Sequence, residues 1–214
     1  MAADIGSYEA KQLLSPSRIL RWSHGSRFVL ARGIVKSLGG RSLLDYGCGD
    51  GTFVKGVSDL VNWCVASDVV PCDLSHLKDV KFVAVRDLDE THAGQYDLVF
   101  CMEVLEHCVP VDVENVLDDL RRLLASRKLG DYEWTQRYSL RAMIKMVFAD
   151  EHTAVHRTAI GDGPRTWYSH FGFNWRALKS KVEARFVVAE QRFSPLPWTK
   201  GLASSQVWFI CKPR

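Results

Sequence analysis

The chain has 214 residues and a formal net charge of +3, with 47% hydrophobic and 25% charged residues, which is typical of one well-buried globular domain. No stretch approaches the roughly 18 uncharged apolar residues of a membrane span, and an N-terminus with Asp4 and Glu9 does not resemble a signal peptide. The six cysteines form no C-x-x-C pair and several lie in apolar runs, so we expect reduced thiols and a cytoplasmic protein.

The predicted elements alternate between helices and strands. Residues 17–38 form an amphipathic helical region, which we expect to be broken near Gly25. A helix from Thr52 to about Leu60 follows the first of four apolar strands. These strands are Ser42–Tyr46, Trp63–Ser67, Val80–Val85 and Tyr96–Met102.

The second half of the chain continues this alternation. Asp112 is the expected N-cap of one helix, residues 139–149 carry helical spacing, and Asn174 is the expected cap of a third helix. Two strands, Phe186–Arg192 and Ser205–Cys211, close the chain. Together these elements predict an α/β fold in which helices cover both faces of a mostly parallel sheet.

The segment LLDYGCGDGTF, residues 43–53, lies at the first strand-to-helix turn, where sheets of this kind bind ligands. Gly47, Gly49 and Gly51 let the backbone approach a ligand closely, and the next helix offers free N–H groups. A dinucleotide site would place its third glycine at Thr52, and Asp45 would lie close to a pyrophosphate. The loop therefore favours a nucleoside that carries a cation.

Two further acids follow the next strands. A ribose needs an acceptor at the end of the second strand, where Asp68 lies seventeen residues after Gly51. An adenine needs an acid near its amino group and an apolar contact, which Asp87 and Leu88 offer after the third strand. A glycine loop with two spaced acids is a stronger signal than the loop alone.

Four motifs, LLDYGCGDGTF, ASDVV, VRDL and YDLVFCMEVLEH, together resemble class I S-adenosylmethionine-dependent methyltransferases. The likeness covers residues 40–125 closely and residues 170–214 more weakly. It implies one domain with a Rossmann-like doubly wound sheet and a small helical cap. The expected parts are an N-terminal helical region (1–41), a cofactor-binding core (42–125), a cap with the acceptor region (126–173), and a C-terminal helix with strands (174–214).

The resemblance also implies the contacts of S-adenosyl-L-methionine and its product S-adenosyl-L-homocysteine. Gly47 and Gly49 would approach the methionine part, Asp68 would bind the ribose hydroxyls and Asp87 the adenine amine. Asp87 as a turn acid and Cys101 as strand core remain alternatives. The full set of implied cofactor contacts is Asp45, Tyr46, Gly47, Cys48, Gly49, Gly51, Asp68, Val69, Asp87, Leu88, Cys101, Met102 and Glu103.

Methyl transfer from a sulfonium is an in-line displacement, so holding the nucleophile in line achieves much of the rate. A base is needed only when the nucleophile loses a proton. His107 and His170 are the candidate catalytic bases, with helix capping and aromatic packing as the structural alternatives. His152 and His156 are four residues apart without a third ligand nearby, so we expect no metal.

The methyl acceptor is the part of the predicted function that the sequence determines least. No N-P-P-Y-type motif follows the fourth strand, and aromatic residues in 132–138 and 167–175 suggest a partly enclosed apolar pocket. A small-molecule or lipid-like acceptor is the first hypothesis, an RNA acceptor the second, and a non-catalytic cofactor-binding subunit the third. Nucleic acid is disfavoured because no RNA-binding module is recognisable.

Charge is unevenly distributed along the chain. Residues 42–120 carry four Lys or Arg against sixteen Asp or Glu, whereas both flanks are basic. The flanks are either solvated helix faces or a surface for something anionic. If Arg18, Arg21, Arg27 and Arg137 surround the acceptor mouth, an anionic acceptor is expected.

A fifth strand is not apparent. The class I resemblance implies one after the helix near Leu124, but ASRKLGDYEWTQRYS contains no run of three apolar residues, so we predict none there. The hypotheses are that residues are absent between Ala125 and Gly130, or that a real deletion leaves the sheet rearranged or completed by another molecule.

Overall fold

The computed structural model describes residues 13–108, 110–125, 130–135, 175–199 and 206–214. The strands are β1 (Ser42–Tyr46), β2 (Trp63–Asp68), β3 (Val80–Ala84), β4 (Leu98–Met102), β5 (Gly130–Thr135), β6 (Phe186–Ser194) and β7 (Gln206–Pro213). The helices are α1 (Arg18–Leu38), α2 (Thr52–Val57), α3 (Pro110–Leu123) and α4 (Trp175–Arg185).

All seven strands belong to one sheet, in the order β3-β2-β1-β4-β5-β7-β6. Neighbouring strands from β3 to β5 are parallel, and β7 is antiparallel to both β5 and β6. The predicted doubly wound, mostly parallel sheet is therefore confirmed. Most of the expected cap, residues 126–173, lies outside the described residues.

Both faces of the sheet are covered, which explains why the central strands are apolar at successive positions. Leu44 and Val99 belong to a core shared with α3 and α4, whereas Leu43 and Phe100 belong to a core shared with α1 and α2. The ring of Phe53 on α2 lies 4.7 Å from that of Phe100, centroid to centroid. β1 is buried along its whole length, so the residues that follow it are held by a rigid strand.

Helix α1 is continuous, so the predicted break near Gly25 is wrong. The side chain of Ser17 accepts from the Leu20 N–H at the start, and the Gly39 N–H donates to the Val35 carbonyl at the end. A glycine inside a helix costs about 1 kcal/mol, which the burial of one helix face offsets. The buried positions are Ser23, Arg27, Ala31, Ile34 and Val35.

Other element boundaries differ from the predicted ones by a few residues. α3 begins at Pro110, so Asp112 lies in its first turn and is not the N-cap. α2 ends at Val57 and a 3-10 turn continues to Leu60. The helix predicted at 139–149 and the cap Asn174 lie outside the described residues, although α4 begins at the next residue, Trp175.

The prediction that no strand follows α3 is wrong. β5 pairs in parallel with β4, where Tyr132 is opposite Cys101, and antiparallel with β7. In its sequence, GDYEWT, aromatic residues occupy alternate positions, a pattern that a search for a continuous apolar run does not detect. Because β7 pairs with β5 and not with β4, neither missing residues nor completion by another molecule is needed to explain the sheet.

Candidate functional site

The strand order reverses between β1 and β4, because β2 and β3 follow on one side of β1 and β4 lies on the other. At such a reversal the loops beyond the two strands separate and leave a crevice at their carboxyl ends. The glycine loop, residues 47–51, follows β1, and Glu103 follows β4. The fold therefore brings two of the predicted segments to one crevice.

The glycine loop is fastened to the end of β2. The N–H groups of Gly47 and Cys48 both donate to the Ser67 carbonyl, at 2.7 and 3.0 Å. Gly47, Gly49 and Gly51 have φ angles of +81°, +56° and +76°, in the region that favours glycine. The spacing of these glycines therefore reflects the backbone turn.

The three glycines differ in what surrounds them. A Cβ on Gly47 would lie 2.1 Å from Cγ2 of Val104, and one on Gly51 would lie 2.5 Å from Cδ2 of Leu74. A Cβ on Gly49 would meet nothing within 4 Å. Gly47 and Gly51 are thus needed for packing, whereas Gly49 borders open space that a ligand can approach.

Asp68, the expected ribose ligand, is joined to the glycine loop. Its Oδ2 accepts from the Gly49 N–H at 2.8 Å, and its Oδ1 accepts from the Val70 N–H at 3.1 Å. The carboxylate is half-buried at the end of β2. Asp68 therefore positions the loop in addition to any contact it makes with a ligand, a role that the sequence did not indicate.

Asp45 is a buried acid without a compensating hydrogen bond on one oxygen. Its side chain lies at the end of β1 with 2% exposure, and within the described part of the chain its Oδ2 has no hydrogen-bond partner. Burial, reinforced by the charge of Asp68, raises the pKa of Asp45 to about 8, although Arg27 acts in the opposite direction. A cation placed beside this carboxyl would ionise it, which fits the sequence-based expectation.

Arg27 is one of the four arginines that the sequence analysis named, but its partner could not be inferred from the sequence. It lies on the buried face of α1 with 4% exposure and forms an ion pair with Glu103. Glu103 has a φ of +54°, a conformation that costs a non-glycine residue of the order of 1 kcal/mol or more. The ion pair holds this strained residue at the crevice.

The predicted contacts with the nucleoside are arranged beyond β2 and β3. Val69 is more than half exposed after Asp68, and Leu88 is buried in the core that includes α3. Asp87 ends a 3-10 turn after β3, with an exposed carboxylate 3.8 Å from the Arg86 guanidinium. The two acids thus follow neighbouring strands at the same edge of the sheet.

The remaining predicted contacts are mostly packing residues. Cys101 and Tyr46 are buried in the core that faces α3 and α4, and burial raises the pKa of both side chains. Cys48 is buried in the opposite core, and Met102 packs against that core while remaining partly exposed. Met102 is therefore better placed than Cys101 to reach a ligand.

Of the two candidate bases, only His107 is described. It ends the 3-10 turn Leu105–His107 that follows β4, and its N–H donates to the Val104 carbonyl at 2.9 Å. This places His107 in the same loop as Glu103. His170 lies outside the described residues, as do His152 and His156.

The basic residues do not form one cluster at the crevice. Arg18 is exposed and Arg27 buried, because nine residues along a helix rotate the side chain to the opposite face. Arg21 donates to the backbone carbonyls of Ser15 and Pro16. Arg137 lies outside the described residues, so the arrangement of four arginines around an acceptor mouth stays a prediction, and of the three that are described Arg27 alone lies beside the crevice.

Two kinds of feature are absent from the described residues. No helix among them combines the length and apolar character needed to cross a membrane. Within the same ranges, no three His, Cys, Asp or Glu side chains are arranged to hold a metal ion.

Comparison with protein families gives one match that covers more than half of the chain. A model described as a methyltransferase domain matches residues 20–130, which include most of α1, the glycine loop and β1 to β4.

Curated relatives share the same core. The ubiquinone biosynthesis O-methyltransferase of Psychrobacter cryohalolentis is 35% identical over 100 residues, 41% of this chain and 38% of that protein. The protein of the same name from Bordetella avium is 36% identical over 89 residues, 35% of each chain. The similarity thus spans less than half of the length of these relatives.

Solved structures resemble the fold at low sequence identity. The Burkholderia thailandensis 1,6-didemethyltoxoflavin-N1-methyltransferase, solved with 1,6-didemethyltoxoflavin and S-adenosylhomocysteine, gives a TM-score of 0.61 at 17% identity, covering 98% of this chain and 91% of its own. The N-methyltransferase NodS of Bradyrhizobium japonicum, solved with S-adenosylhomocysteine, gives a TM-score of 0.62 at 12% identity. The match covers 94% of this chain and 90% of NodS. The small RNA methyltransferase HEN1 gives 0.67 at 14% identity, over 90% of this chain and 25% of its own.

Proposed function

The chain belongs to the methyltransferase domain family, and from that premise we propose that it methylates a hydroxyl group of a small-molecule or lipid-like acceptor. Its cofactor is S-adenosyl-L-methionine, and two similar solved structures hold the demethylated product. When bound, this cofactor supplies a methyl group on a sulfonium for in-line displacement.

The observation that carries the proposal is the pairing of Asp68 with Gly49 beside open space. A ligand that enters there meets the exposed face of the glycine loop at Gly49 and the carboxylate at the end of β2 together. A ribose diol donates two hydroxyls to such an acid. We therefore assign the ribose to Asp68, and the methionine part to the glycine loop.

The charges at the crevice fit the two ends of the methionine part. The buried carboxyl of Asp45 accommodates an ammonium group, which would favour its ionised form and give its Oδ2 a hydrogen-bond donor. A guanidinium has five N–H donors, so Arg27 can hold Glu103 and a second carboxylate at once. A zwitterion with an ammonium and a carboxylate thus finds complementary groups on β1 and α1.

The nucleobase completes the assignment. Asp87 offers an exposed carboxylate to the exocyclic amine of adenine, while Val69 and the edge of Leu88 offer apolar contacts. Cys48, Gly51 and Tyr46 shape the loop, and Met102 borders the ligand from β4. Cys101 contributes through packing on the opposite face of the sheet.

A hydroxyl acceptor is supported by the names of the curated relatives, which are O-methyltransferases of ubiquinone biosynthesis. A hydroxyl must lose a proton when it attacks, so it needs a base, and His107 follows β4 in the loop that carries Glu103. We assign His107 as the base, with His170 as the second candidate.

The test is a methyl-transfer screen with the full chain and S-adenosylmethionine labelled in its methyl group. Three pools are offered separately: a lipid extract, water-soluble metabolites and total RNA. We expect the label in a hydroxyl-bearing molecule of the first two pools, and slower transfer with Asp68→Ala when the cofactor concentration is limiting.

The other outcomes identify the alternatives. Label in RNA alone would replace the proposal with an RNA methyltransferase, whose fold HEN1 shares. Binding of S-adenosylhomocysteine with no transfer in any pool would indicate the non-catalytic subunit.

A further inference from the structure

Two cysteines meet at the edge of the glycine loop. Sγ of Cys48, between Gly47 and Gly49, lies 3.8 Å from Sγ of Cys72 in the segment that follows β2. Both thiols are free. We propose that Cys48 and Cys72 form an oxidation site, which a peroxide converts to a disulfide that weakens cofactor binding.

The geometry favours this pair over other thiols of the chain. A disulfide has an S–S distance of about 2.05 Å, so the two sulfurs need to approach by less than about 2 Å. Cys48 lies in the loop after β1 and Cys72 in the segment after β2, so neither lies inside a strand. Cys64 and Cys101, in contrast, lie inside β2 and β4 and are buried.

The two thiols have unequal roles in the oxidation. Cys72 is half-buried, and burial raises the pKa of its thiol, although the contact with Cys48 acts in the opposite direction. Cys48 is 8% exposed, and burial together with the charge of Asp45 raises its pKa further. Cys72 is therefore the thiol that a peroxide reaches first, and Cys48 is the resolving thiol.

The reaction balances with one peroxide per disulfide. The Cys72 sulfur attacks the O–O bond of hydrogen peroxide and becomes a sulfenic acid, with release of one water. The Cys48 sulfur then attacks the Cys72 sulfur and displaces hydroxide. The proton of the Cys48 thiol converts that hydroxide to a second water, and two electrons have passed from the thiols to the peroxide.

The disulfide would act on the cofactor through the loop. Cys48 adjoins Gly49, whose N–H donates to Asp68 at 2.8 Å, and the loop is also held by the Ser67 carbonyl. Drawing Cys48 toward Cys72 moves the loop relative to the Asp68 carboxylate. This effect rests on the proposed cofactor contacts, whereas formation of the disulfide does not.

The first experiment detects the bond itself. The full chain is treated with hydrogen peroxide, blocked with a thiol reagent in denaturant and digested with trypsin. We expect residues 42–55 to be linked to residues 56–78, and the link to disappear in Cys72→Ala but to persist in Cys64→Ala, the other cysteine of the second peptide. Absence of the link, or its loss in Cys64→Ala instead, overturns the proposal.

The second experiment measures S-adenosylhomocysteine affinity by calorimetry before oxidation, after oxidation, and after reduction with dithiothreitol. We expect oxidation to weaken binding by about tenfold or more and reduction to restore it, while Cys72→Ala is insensitive to peroxide. An unchanged affinity in the cross-linked protein overturns the regulatory part. If the reduced protein does not bind S-adenosylhomocysteine at all, the proposed cofactor site is wrong. The peptide map still tests the disulfide in that case, so the two failures can be told apart.

Discussion

Arg27 on α1 and Glu103 after β4 form an ion pair that joins the first helix of the domain to the centre of its sheet. The two residues are 76 positions apart in sequence, and neither side chain is fully exposed. The pair lies at the crevice where the strand order reverses, so it couples the position of α1 to the shape of the site.

Replacing Arg27 by Met should destabilise the fold and weaken the cofactor site. Removing one partner of a buried pair leaves an uncompensated charge, so we expect the free energy of unfolding to fall by about 3 kcal/mol in urea. Binding of S-adenosylhomocysteine should weaken as well.

The matched control is Arg32→Met. Arg32 lies on the same helix and forms an exposed pair with Asp59, so both stability and affinity should change little. The double variant Arg27→Met with Glu103→Gln should recover part of the lost stability, because no charge then remains unmatched. Similar losses for the Arg27 and Arg32 variants would refute a special role of Arg27.

Asp45 should make cofactor binding depend on pH. Burial raises the pKa of Asp45 to about 8, so the carboxyl is mostly protonated in the free protein at neutral pH. An ammonium ligand favours the ionised form, so affinity should increase between about pH 6 and about pH 8 and binding should release a proton. Calorimetry in buffers of different ionisation enthalpy measures that proton.

The same shift affects stability. The pKa of Asp45 is about 4 in the unfolded chain and about 8 in the folded protein. The stabilisation that the protonated carboxyl gives is therefore fully present below about pH 4 and is lost as the pH rises to about 8. Asp45→Asn should remove this part of the pH dependence of both stability and binding. If proton release on binding is equal in Asp45→Asn and the original chain, Asp45 is not the group that titrates.

Asp68→Ala should weaken S-adenosylhomocysteine binding by more than about 1 kcal/mol, because the ribose loses a charge-assisted partner and Gly49 loses its acceptor. Asp68→Asn keeps an acceptor for the Gly49 N–H, so its affinity should lie between those of the original chain and Asp68→Ala. Asp89→Ala is the control, since Asp89 accepts from Thr91 in the same manner in a turn after Leu88. If calorimetry shows the same affinity for Asp68→Ala and Asp89→Ala, Asp68 does not contact the cofactor.

Gly47→Ala should destabilise the chain. The residue has a φ of +81°, and the new Cβ would lie 2.1 Å from Val104 Cγ2, so we expect a loss of more than about 1 kcal/mol in urea and weaker cofactor binding. Gly56→Ala in α2 is the control, since nothing lies within 4 Å of its Cβ and alanine favours a helix. Equal stability of the two variants would contradict the packing role assigned to Gly47.

His107→Gln should slow turnover and leave affinity for S-adenosylhomocysteine unchanged. A general base contributes about 10²- to 10⁴-fold, so kcat should fall by that order once the acceptor from the screen is known. A variant that keeps the original kcat would transfer the role of base to His170.

The sequence by itself determined the motifs and most elements of the core. β1 runs over the residues that its apolar pattern indicates, Ser42–Tyr46, because a buried parallel strand needs apolar residues on both faces. The glycine spacing indicated the loop because positive φ angles favour glycine there. Asp68 ends β2 and Asp87 follows β3, as the order of acids and apolar strands in the sequence indicates.

Only the tertiary structure decided the remaining features. Gly25 does not break α1, because burial of Ala31, Ile34 and Val35 outweighs a local helix preference. β5 exists because β4 and β7 supply hydrogen bonds on both of its sides, which its own sequence does not reveal. Contacts between distant residues, Arg27 with Glu103 and Cys48 with Cys72, depend on how helices and loops pack, so no local pattern in the chain encodes them.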